Sequence, residues 1–314
     1  MAEPEFLLDA QGLAKSFGRI AAVRGVSLQL RRGETLGVVG ESGSGKSTVA
    51  RLVLRLIDAD AGALTFRGRD LPRLGKEDLR RERRYMQMVF QDPFGSLNAR
   101  MSVGDLITEP LRAHEIGDRV SRLRRALSLL DEVGLPASAA SRFPHEFSGG
   151  QRQRIAIARA LATEPELIVA DEPVSALDVS VQAQVLNLLL DLKARHGMAL
   201  LFISHDLRVV EFLCDRIAVM YLGEIVETAD KTTLYRHPRH PYTQALFASA
   251  PGRKRAERLS GESPNAAQLP SGCVFRPRCP KAFDRCAVEA PVLRDLGGGA
   301  SAACHLAVPS SEIP

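Results

Sequence analysis

The sequence predicts an α/β fold built around a mostly parallel β-sheet. The apolar run Thr35–Val39 enters a glycine-rich loop, and an amphipathic helix is predicted behind it over Thr48–Leu56. Further along, the apolar runs Leu167–Ala170 and Ala199–Ile203 are typical of buried parallel strands, with a helix predicted over Val181–Lys193 between them. Such alternation of strands and helices favours a parallel sheet covered by helices.

The segments between these runs complete the predicted order of elements. Residues 23–39 have the pattern of a strand pair with a turn at Arg32-Gly33, and Ala63–Phe66 and Tyr85–Phe90 are candidate short strands. Between Ser102 and about Leu135 the pattern becomes helical and charged. This change indicates an inserted helical subdomain, which we place at about residues 95–150.

The composition changes near residue 235, where prolines and histidines are followed by a basic stretch at Arg253–Arg255 and a tail rich in Pro and Cys. We therefore predict one domain at residues 1–235 and a C-terminal extension at residues 236–314. His237 and His240 stand among the prolines and are interpreted as turn residues rather than metal ligands.

The bulk composition excludes some classes of protein. The chain has 314 residues, 45% of them hydrophobic, and a formal net charge of +5, which indicates a globular protein of balanced charge. Aromatic residues make up 5% and Trp is absent, so no nucleic-acid surface is predicted, and Arg80–Arg84 is interpreted as a solvated helix face. Met1–Phe6 lacks the apolar core of a secretory signal, and Met198–Ile203 is too short to cross a membrane, so a cytoplasmic chain is expected.

The glycine-rich loop matches the pattern of a phosphate-binding loop. Its backbone N–H groups would form an anion site, Lys46 would reach the terminal phosphates, and the Ser47 hydroxyl would bind Mg²⁺. Phe17 is a candidate for stacking on adenine, although an isolated Phe more often belongs to a core. The predicted phosphate-binding residues are Gly40, Glu41, Ser42, Gly43, Ser44, Gly45, Lys46, Ser47 and Thr48.

Polar side chains follow other predicted strands at the carboxyl edge of the sheet, where open α/β sheets bind ligands. Asp171 would hold Mg²⁺, and Glu172 would act as the general base on the attacking water. Gln91 could contact both the metal and the water, and His205 could contact the γ-phosphate and orient Glu172. Their joint position at strand ends, rather than any single residue, favours a nucleotide-hydrolysing site.

A second candidate phosphate site is a short Ser/Gly motif that opens the helix predicted over Arg152–Leu161. Ser and Gly suit a helix N-terminus, whose unpaired N–H groups and positive dipole end attract anions, and the glycines would let the backbone approach a ligand. One ATP does not obviously need two such helix starts from one molecule. The residues of this motif are Ser148, Gly149, Gly150 and Gln151.

In this combination the motifs resemble the ATPase cassette of ABC transporters over about residues 8–235. That resemblance implies a P-loop ABC ATPase core with a mostly parallel sheet, an antiparallel β part and a helical subdomain. It implies that Gln91 is the Q-loop residue, that Asp178 closes the D-loop and that His205 is the switch histidine. Phe147 stands where the family commonly has Leu. The segments that carry the resemblance are Gly40–Thr48, Gln91, Phe147–Gln151, Leu167–Glu172, Ser175–Asp178 and His205.

Four longer segments resemble the ATP-binding subunits of bacterial dipeptide and oligopeptide importers of the DppF/OppF type. Ala99 departs from the Pro that commonly follows Asn98, near the expected contact with the membrane subunit. The resemblance implies ATP and Mg²⁺, a second ABC ATPase subunit in a heterodimer, two transmembrane permease subunits and, indirectly, a substrate-binding protein. It implies a peripheral location on the cytoplasmic face of the bacterial inner membrane, with Ser148–Gln151 covering the ATP of the neighbouring subunit. The four segments are Val89–Asn98, Phe143–Ile155, Tyr221–Glu227 and His240–Leu246.

The four C-terminal cysteines, Cys273, Cys279, Cys286 and Cys304, are separated by five, six and seventeen residues. This spacing lacks the close pairs of zinc sites and leaves zinc, an iron–sulfur cluster and free or structural thiols open, with thiols favoured. The segment Gly272–Pro280 resembles the C-terminal extension of peptide-importer ATPases, and that resemblance implies a [4Fe–4S] cluster on these cysteines. Cys214 follows an apolar run and is expected to be a buried, inert thiol.

Several alternatives stay open beside the importer. The cargo could be peptides, nickel complexes or glutathione. A soluble non-transport ABC ATPase acting on nucleic acid is disfavoured, because the chain has one phosphate loop and no long coiled-coil insertion. A P-loop kinase would not need Ser148–Gln151, and a cassette that binds ATP without hydrolysing it is disfavoured by the presence of Glu172, Gln91 and His205.

Overall fold

Two β-sheets organise the chain, which the computed structural model describes over residues 5–248 and 267–309. The basic stretch Arg253–Arg255 lies outside the described residues. The strands of the described part are β1 (Leu8–Phe17), β2 (Ile20–Leu30), β3 (Thr35–Val39), β4 (Ala61–Phe66), β5 (Arg69–Asp70), β6 (Met86–Val89), β7 (Leu167–Asp171), β8 (Ala199–Ser204), β9 (Arg216–Tyr221), β10 (Glu224–Asp230), β11 (Arg294–Asp295) and β12 (Ser301–Ala302). The helices are α1 (Lys46–Val53), α2 (Lys76–Arg83), α3 (Pro93–Ser96), α4 (Val103–Ala113), α5 (Arg119–Glu132), α6 (Gly149–Leu161), α7 (Val179–His196), α8 (Leu207–Leu213), α9 (Lys231–Arg236), α10 (Pro241–Ala248) and α11 (Arg285–Val288).

The larger sheet has the strand order β11-β12-β10-β9-β3-β8-β7-β6. Strands β9, β3, β8, β7 and β6 are mutually parallel, whereas β10, β12 and β11 add an antiparallel edge. The predicted parallel sheet is therefore confirmed. The predicted strands that begin at Leu167 and Ala199 are confirmed as well.

Both faces of the larger sheet are buried, because successive side chains of each parallel strand enter different cores. In β7, Ile168 and Ala170 belong to the core shared with the helical part and the C-terminal extension. Leu167 and Val169 belong to the core shared with α1 and the smaller sheet. This arrangement explains the unbroken apolar runs in the sequence, since a strand covered on both sides has no solvent face.

The smaller sheet is antiparallel, with the order β2-β1-β4-β5. The predicted pairing within residues 23–39 is wrong, because β2 pairs with β1 while β3 lies in the larger sheet. The turn after Leu30 therefore carries the chain from one sheet to the other. Strand β1 was not predicted, and its pairing is irregular between Ala10 and Leu13, which interrupts the alternation that marks a strand in sequence.

The helical part consists of α4, α5 and α6 with short 3₁₀ turns between the last two. Ser102 caps α4 and Asp118 caps α5, each accepting a backbone N–H three residues later. The helix predicted from Arg152 begins at Gly149, because Ser148 is its N-cap and the glycines lie inside its first turn.

The C-terminal extension packs onto the larger sheet, where β12 pairs with β10 through Glu227 and Ala302. His240 lies at the start of α10, where its Nδ1 accepts the Tyr242 N–H and burial lowers its pKa to about 3. Cys214 is fully buried with a raised thiol pKa, as expected for an inert thiol. In residues 5–248 and 267–309, every helix is too short or too polar to span a bilayer.

Candidate functional site

The strand order aligns the predicted site residues along one edge of the larger sheet. The phosphate loop follows β3, His205 follows β8, and Glu172 follows β7, whose last residue is Asp171. Gln91 follows β6, the next strand in the sheet. Because these four strands are neighbours and parallel, residues spread over more than 160 positions of sequence reach one site.

The predicted phosphate loop, Gly40–Thr48, connects β3 to α1, and Lys46 and Thr48 lie in the first turn of that helix. Gly45 has a φ of +102°, and a Cβ there would lie 2.2 Å from the Ala22 carbonyl oxygen, so the loop requires glycine at this position. The buried Lys46 Nζ donates to the carbonyl oxygens of Gly40 and Glu41 at 2.9 and 2.8 Å. Burial lowers the Lys46 pKa, while Glu172 and Asp171 oppose that shift.

A group of oxygen atoms that could bind a cation lies beside the loop. The Ser47 hydroxyl donates to Asp171 Oδ1 at 3.0 Å, and Asp171 itself is buried. Burial raises the Asp171 pKa, and the nearby Glu172 carboxylate adds to the shift. A buried carboxylate beside a hydroxyl and a second carboxylate has the donor chemistry that Mg²⁺ prefers, so these residues fit the ion.

The Glu172 carboxylate is the point where the site residues meet. Its Oε2 accepts from Gln91 Nε2 at 3.1 Å and lies 3.1 Å from His205 Nδ1. Glu172 has a φ of +46°, a left-handed conformation that is strained for a residue with a side chain. Its backbone N–H donates to the Ile203 carbonyl of the adjacent strand, which fixes this turn. The structure thus brings together Glu172, Gln91 and His205.

The second candidate phosphate site is the N-terminus of α6, where Ser148 and Gln151 form a capping box. The Ser148 Oγ accepts the Gln151 N–H at 3.3 Å, and the Gln151 Oε1 accepts the Ser148 N–H at 3.1 Å. Gly150 is buried, and a Cβ there would lie 2.3 Å from Val181 Cγ1 on α7. Glycine at this position is therefore required by helix packing, a reason that the sequence did not reveal. Ser148 and Gln151 are exposed.

The remaining predicted residues lie on the surface around this edge. Phe17 ends β1 with half of its surface exposed, so it is not a core residue, and the Lys15 ammonium lies 5.8 Å from its ring centroid. Asp178 caps α7, where its carboxylate accepts the Val181 N–H and the Ser180 hydroxyl. The run Arg80–Arg84 is only partly a solvated face, because Arg83 is half-buried and burial lowers its pKa.

A cleft of about 880 Å³ opens between the larger sheet and the helical part. Ser47, Gln91 and Asp171 lie on its wall. Its other lining residues include an apolar group from the sheet side and polar residues from α4 and the segment after it. These are Leu54, Leu56, Met86, Met88, Phe90, Glu109 and His114.

The four C-terminal cysteines line one small cavity together with His240 and His305. Burial raises the thiol pKa of Cys273, Cys279 and Cys304. The donors match a four-thiolate group in number and kind. No group of three or more His, Cys, Asp or Glu side chains has the arrangement of a metal site in residues 5–248 and 267–309, so the geometry does not support the expected cluster.

Sequence reasoning missed two residues that contact the phosphate loop from the C-terminal extension. Arg278 forms two hydrogen bonds to the Glu41 carboxylate, and the Tyr242 hydroxyl accepts the Glu41 N–H. Both residues lie in or next to segments that carried the resemblance, but their contact with Glu41 spans more than 200 positions and leaves no local signal.

Comparisons with known proteins agree with this geometry. Residues 23–175 match the protein-family model described as ABC transporter, and residues 226–286 match the model described as oligopeptide/dipeptide transporter, C-terminal region. A Brucella ovis protein that carries the name of a peptide import ATP-binding protein is 52% identical over 307 residues, covering 95% of this chain and 97% of its own. The oligopeptide transport ATP-binding protein AppF of Bacillus subtilis is 50% identical over 300 residues, covering 93% and 91%.

Among solved structures, the ATP-binding cassette MJ0796 superposes with a TM-score of 0.65 at 30% sequence identity. The match covers 71% of this chain and 98% of that chain. That structure is of a dimeric, post-hydrolysis state bound to ADP and Pi.

Proposed function

The chain belongs to the ABC transporter family of ATPases, and on this premise we propose that it is the ATP-hydrolysing motor subunit of a bacterial importer for dipeptides or oligopeptides. The observation that carries this proposal is the Glu172 carboxylate held between Gln91 and His205 beside the Lys46 loop. The names of the relatives in Brucella ovis and Bacillus subtilis favour peptides over nickel complexes or glutathione as the cargo.

ATP binds with its phosphates in the loop Gly40–Thr48 and its adenine against Phe17. Lys46 Nζ then exchanges the carbonyl oxygens of Gly40 and Glu41 for phosphate oxygens. Ser47, Asp171 and Gln91 would hold Mg²⁺, which would neutralise the negative charge that develops on the phosphates. Each of these residues already faces the same edge of the sheet.

Hydrolysis depends on Glu172 as the general base. Its carboxylate accepts the proton of the attacking water, while Gln91 and His205 fix its position through their contacts with Oε2. His205 is exposed and can reach the γ-phosphate from the strand next to Glu172.

The chain works as half of a cassette pair, a heterodimer in this proposal. Ser148 and Gln151 are exposed, and the helix N-terminus that they cap suits the phosphates bound to a second cassette. The dimeric state of the MJ0796 structure supports such pairing. The partner's corresponding motif covers ATP bound at Lys46 in the same way, with Asp178 beside the interface.

The cleft next to Gln91 receives the permease. Its apolar wall suits a docking segment of a membrane subunit, and its floor reaches Gln91, which touches the Glu172 carboxylate. Docking can therefore change the position of the general base. In this proposal, the two cassettes bind two transmembrane subunits at the cytoplasmic face of the inner membrane and accept cargo from a substrate-binding protein.

Affinity purification of the full chain from a native bacterial membrane tests this assembly. The proposal predicts that two membrane proteins and a second ABC ATPase co-purify with it, and that a peptide-binding protein stimulates ATP hydrolysis by the reconstituted complex. A chain that hydrolyses ATP at the same rate with and without membrane subunits, and that co-purifies with nucleic acid instead, would support the soluble alternative.

We also propose a [4Fe–4S] cluster in the C-terminal extension. Four thiols line the same cavity, although they are not arranged as a metal site in this structure and would have to move closer together to bind the cluster. The residues that would hold it are Cys273, Cys279, Cys286 and Cys304. Anaerobically purified protein is expected to be brown and to lose its colour in the Cys279→Ser variant, whereas the Cys214→Ser control stays brown. Colourless protein that contains one equivalent of zinc would overturn this proposal.

A further inference from the structure

Glu41, the second residue of the phosphate loop, is held from three sides. Its carbonyl oxygen accepts from Lys46 Nζ at 2.8 Å, and its N–H donates to the Tyr242 hydroxyl at 2.9 Å. Its carboxylate accepts two hydrogen bonds from Arg278, at 2.8 Å from Nη1 to Oε2 and 3.0 Å from Nη2 to Oε1. One residue therefore connects the phosphate-binding lysine to two residues of the C-terminal extension.

The contact between Arg278 and Glu41 differs from an ordinary surface ion pair. Arg278 is 8% exposed, and its hydrogen bonds to Glu41 raise its pKa. A bidentate guanidinium–carboxylate contact fixes the relative orientation of the two groups as well as their distance. Burial also removes the competition from water. The exposed Arg285–Glu289 pair in the same extension has similar geometry but lies on the surface.

Three packed aromatic rings lie behind this contact on the side of the core. The ring centroids of Tyr221 and Tyr242 are 4.6 Å apart, and Phe275 packs edge-on against both at 5.4 and 5.5 Å. Tyr221 and Tyr242 are almost fully buried, and the Tyr221 hydroxyl also accepts a hydrogen bond from Arg278. The extension thus offers Glu41 a preformed partner surface.

We propose that Arg278 and Tyr242 are positioning residues for ATP hydrolysis, which act through Glu41 on the phosphate loop and on Lys46. This inference rests on the proposed ATPase function. A phosphate site binds nucleotide through N–H groups and a lysine that are already in position. A restraint on the loop therefore lowers the entropic cost of ordering it when the nucleotide binds. The C-terminal extension consequently completes the nucleotide site of its own chain.

The test compares variants of the full chain in the assembled transporter. Arg278→Gln and Glu41→Gln are each expected to lower kcat/KM for ATP by roughly 10- to 100-fold, because a small displacement of a binding loop is enough to cause such a loss. Most of that loss should lie in KM. Arg278→Lys keeps the charge and should recover part of it, and Tyr242→Phe should have a smaller effect. Arg285→Gln is the matched control and should hydrolyse ATP as the parent does.

A double-variant cycle separates positioning from general destabilisation. If Arg278 acts through Glu41, the double variant Glu41→Gln/Arg278→Gln should be no worse than either single variant. Effects that multiply, or an Arg278→Gln chain with parental kcat and KM, would overturn the inference while leaving the ATPase function intact. A loss of activity that follows Tm alone, and that Arg278→Lys does not relieve, would also overturn it. A parent chain without any hydrolysis would instead defeat the proposed function.

Discussion

Glu172 Oε2 and His205 Nδ1 lie 3.1 Å apart, although the two residues belong to the ends of different strands. The Glu172 side chain is 16% exposed and that of His205 is 58% exposed, so the histidine reaches the carboxylate from the solvent side. Gln91 Nε2 contacts the same oxygen from the other neighbouring strand. The Glu172 carboxylate, the proposed general base, is thus oriented by two side chains whose positions depend on separate parts of the chain.

Removal of the imidazole should slow hydrolysis without preventing ATP binding. His205→Ala is expected to lower kcat by roughly 10²-fold, since the base loses one of the groups that orient it. The Kd for ATP, measured by equilibrium titration, should change little. His196→Ala is a suitable control, because His196 contacts Glu132 in the helical part instead. An equal loss in both variants would show that His205 has no specific role.

The buried Asp171 carboxylate is expected to destabilise the folded state at neutral pH when Mg²⁺ is absent. Burial raises its pKa above the ordinary 3.8, so the folded state holds the proton more tightly than the unfolded state does. The resulting stability is complete below pH 3.8 and is lost as the pH rises through the folded-state pKa. Asp171→Asn should therefore raise Tm by about 2 °C at pH 7 without nucleotide, and less in acid.

The same Asp171→Asn variant should lose most of its Mg²⁺-dependent hydrolysis, because the amide is a weaker ligand for a hard cation. Calorimetry across pH, combined with ATPase assays, measures both effects. A variant that is less stable than the parent at pH 7 would contradict the interpretation of Asp171 as a buried carboxylate that destabilises the fold.

Gly150 is expected to tolerate no side chain while Val181 remains. Gly150→Ala would bring its Cβ to 2.3 Å from Val181 Cγ1 and should destabilise the chain by about 1–3 kcal/mol. The double variant Gly150→Ala/Val181→Ala should recover most of this loss. Gly149→Ala is the control, since its nearest neighbour is the end of the flexible Leu177 side chain at 3.3 Å. Thermal unfolding of the three variants measures the difference, and a failure of Val181→Ala to rescue would exclude the packing explanation.

Ser148→Arg should damage the ATP site of the partner cassette while sparing the site at Lys46 of its own chain. Trapping of labelled nucleotide on each subunit of the heterodimer is expected to fall by roughly 10²-fold on the partner only. Ser128→Arg, an exposed position on α5, serves as the control. A loss confined to the altered chain would mean that the motif serves its own nucleotide.

The arrangement of the candidate site was largely predictable because each of its parts is local in sequence. The loop at Lys46 carries its own strand and helix, and Glu172, Gln91 and His205 each follow a short apolar run. Once those runs are parallel neighbours, their carboxyl ends must share one edge. Strand β1 escaped prediction, because its irregular pairing near Gly12 breaks the alternation of polar and apolar residues.

Contacts between distant segments could not be predicted. The role of Gly150 depends on Val181, which lies on a different helix, and the pairing of β2 depends on which sheet accepts it. The bond between Arg278 and Glu41 joins positions 237 residues apart, and nothing near either residue indicates the other. These features arise from packing, which a linear pattern does not encode.

The most direct test of the account measures ATP hydrolysis and labelled-peptide uptake together in proteoliposomes that contain the complete transporter. Glu172→Gln should bind ATP normally, reduce hydrolysis by roughly 10²- to 10⁴-fold and abolish peptide-stimulated uptake, whereas the exposed control Glu211→Gln should retain both. Near-parental hydrolysis by Glu172→Gln, or hydrolysis that does not respond to peptide and drives no uptake, would contradict the account.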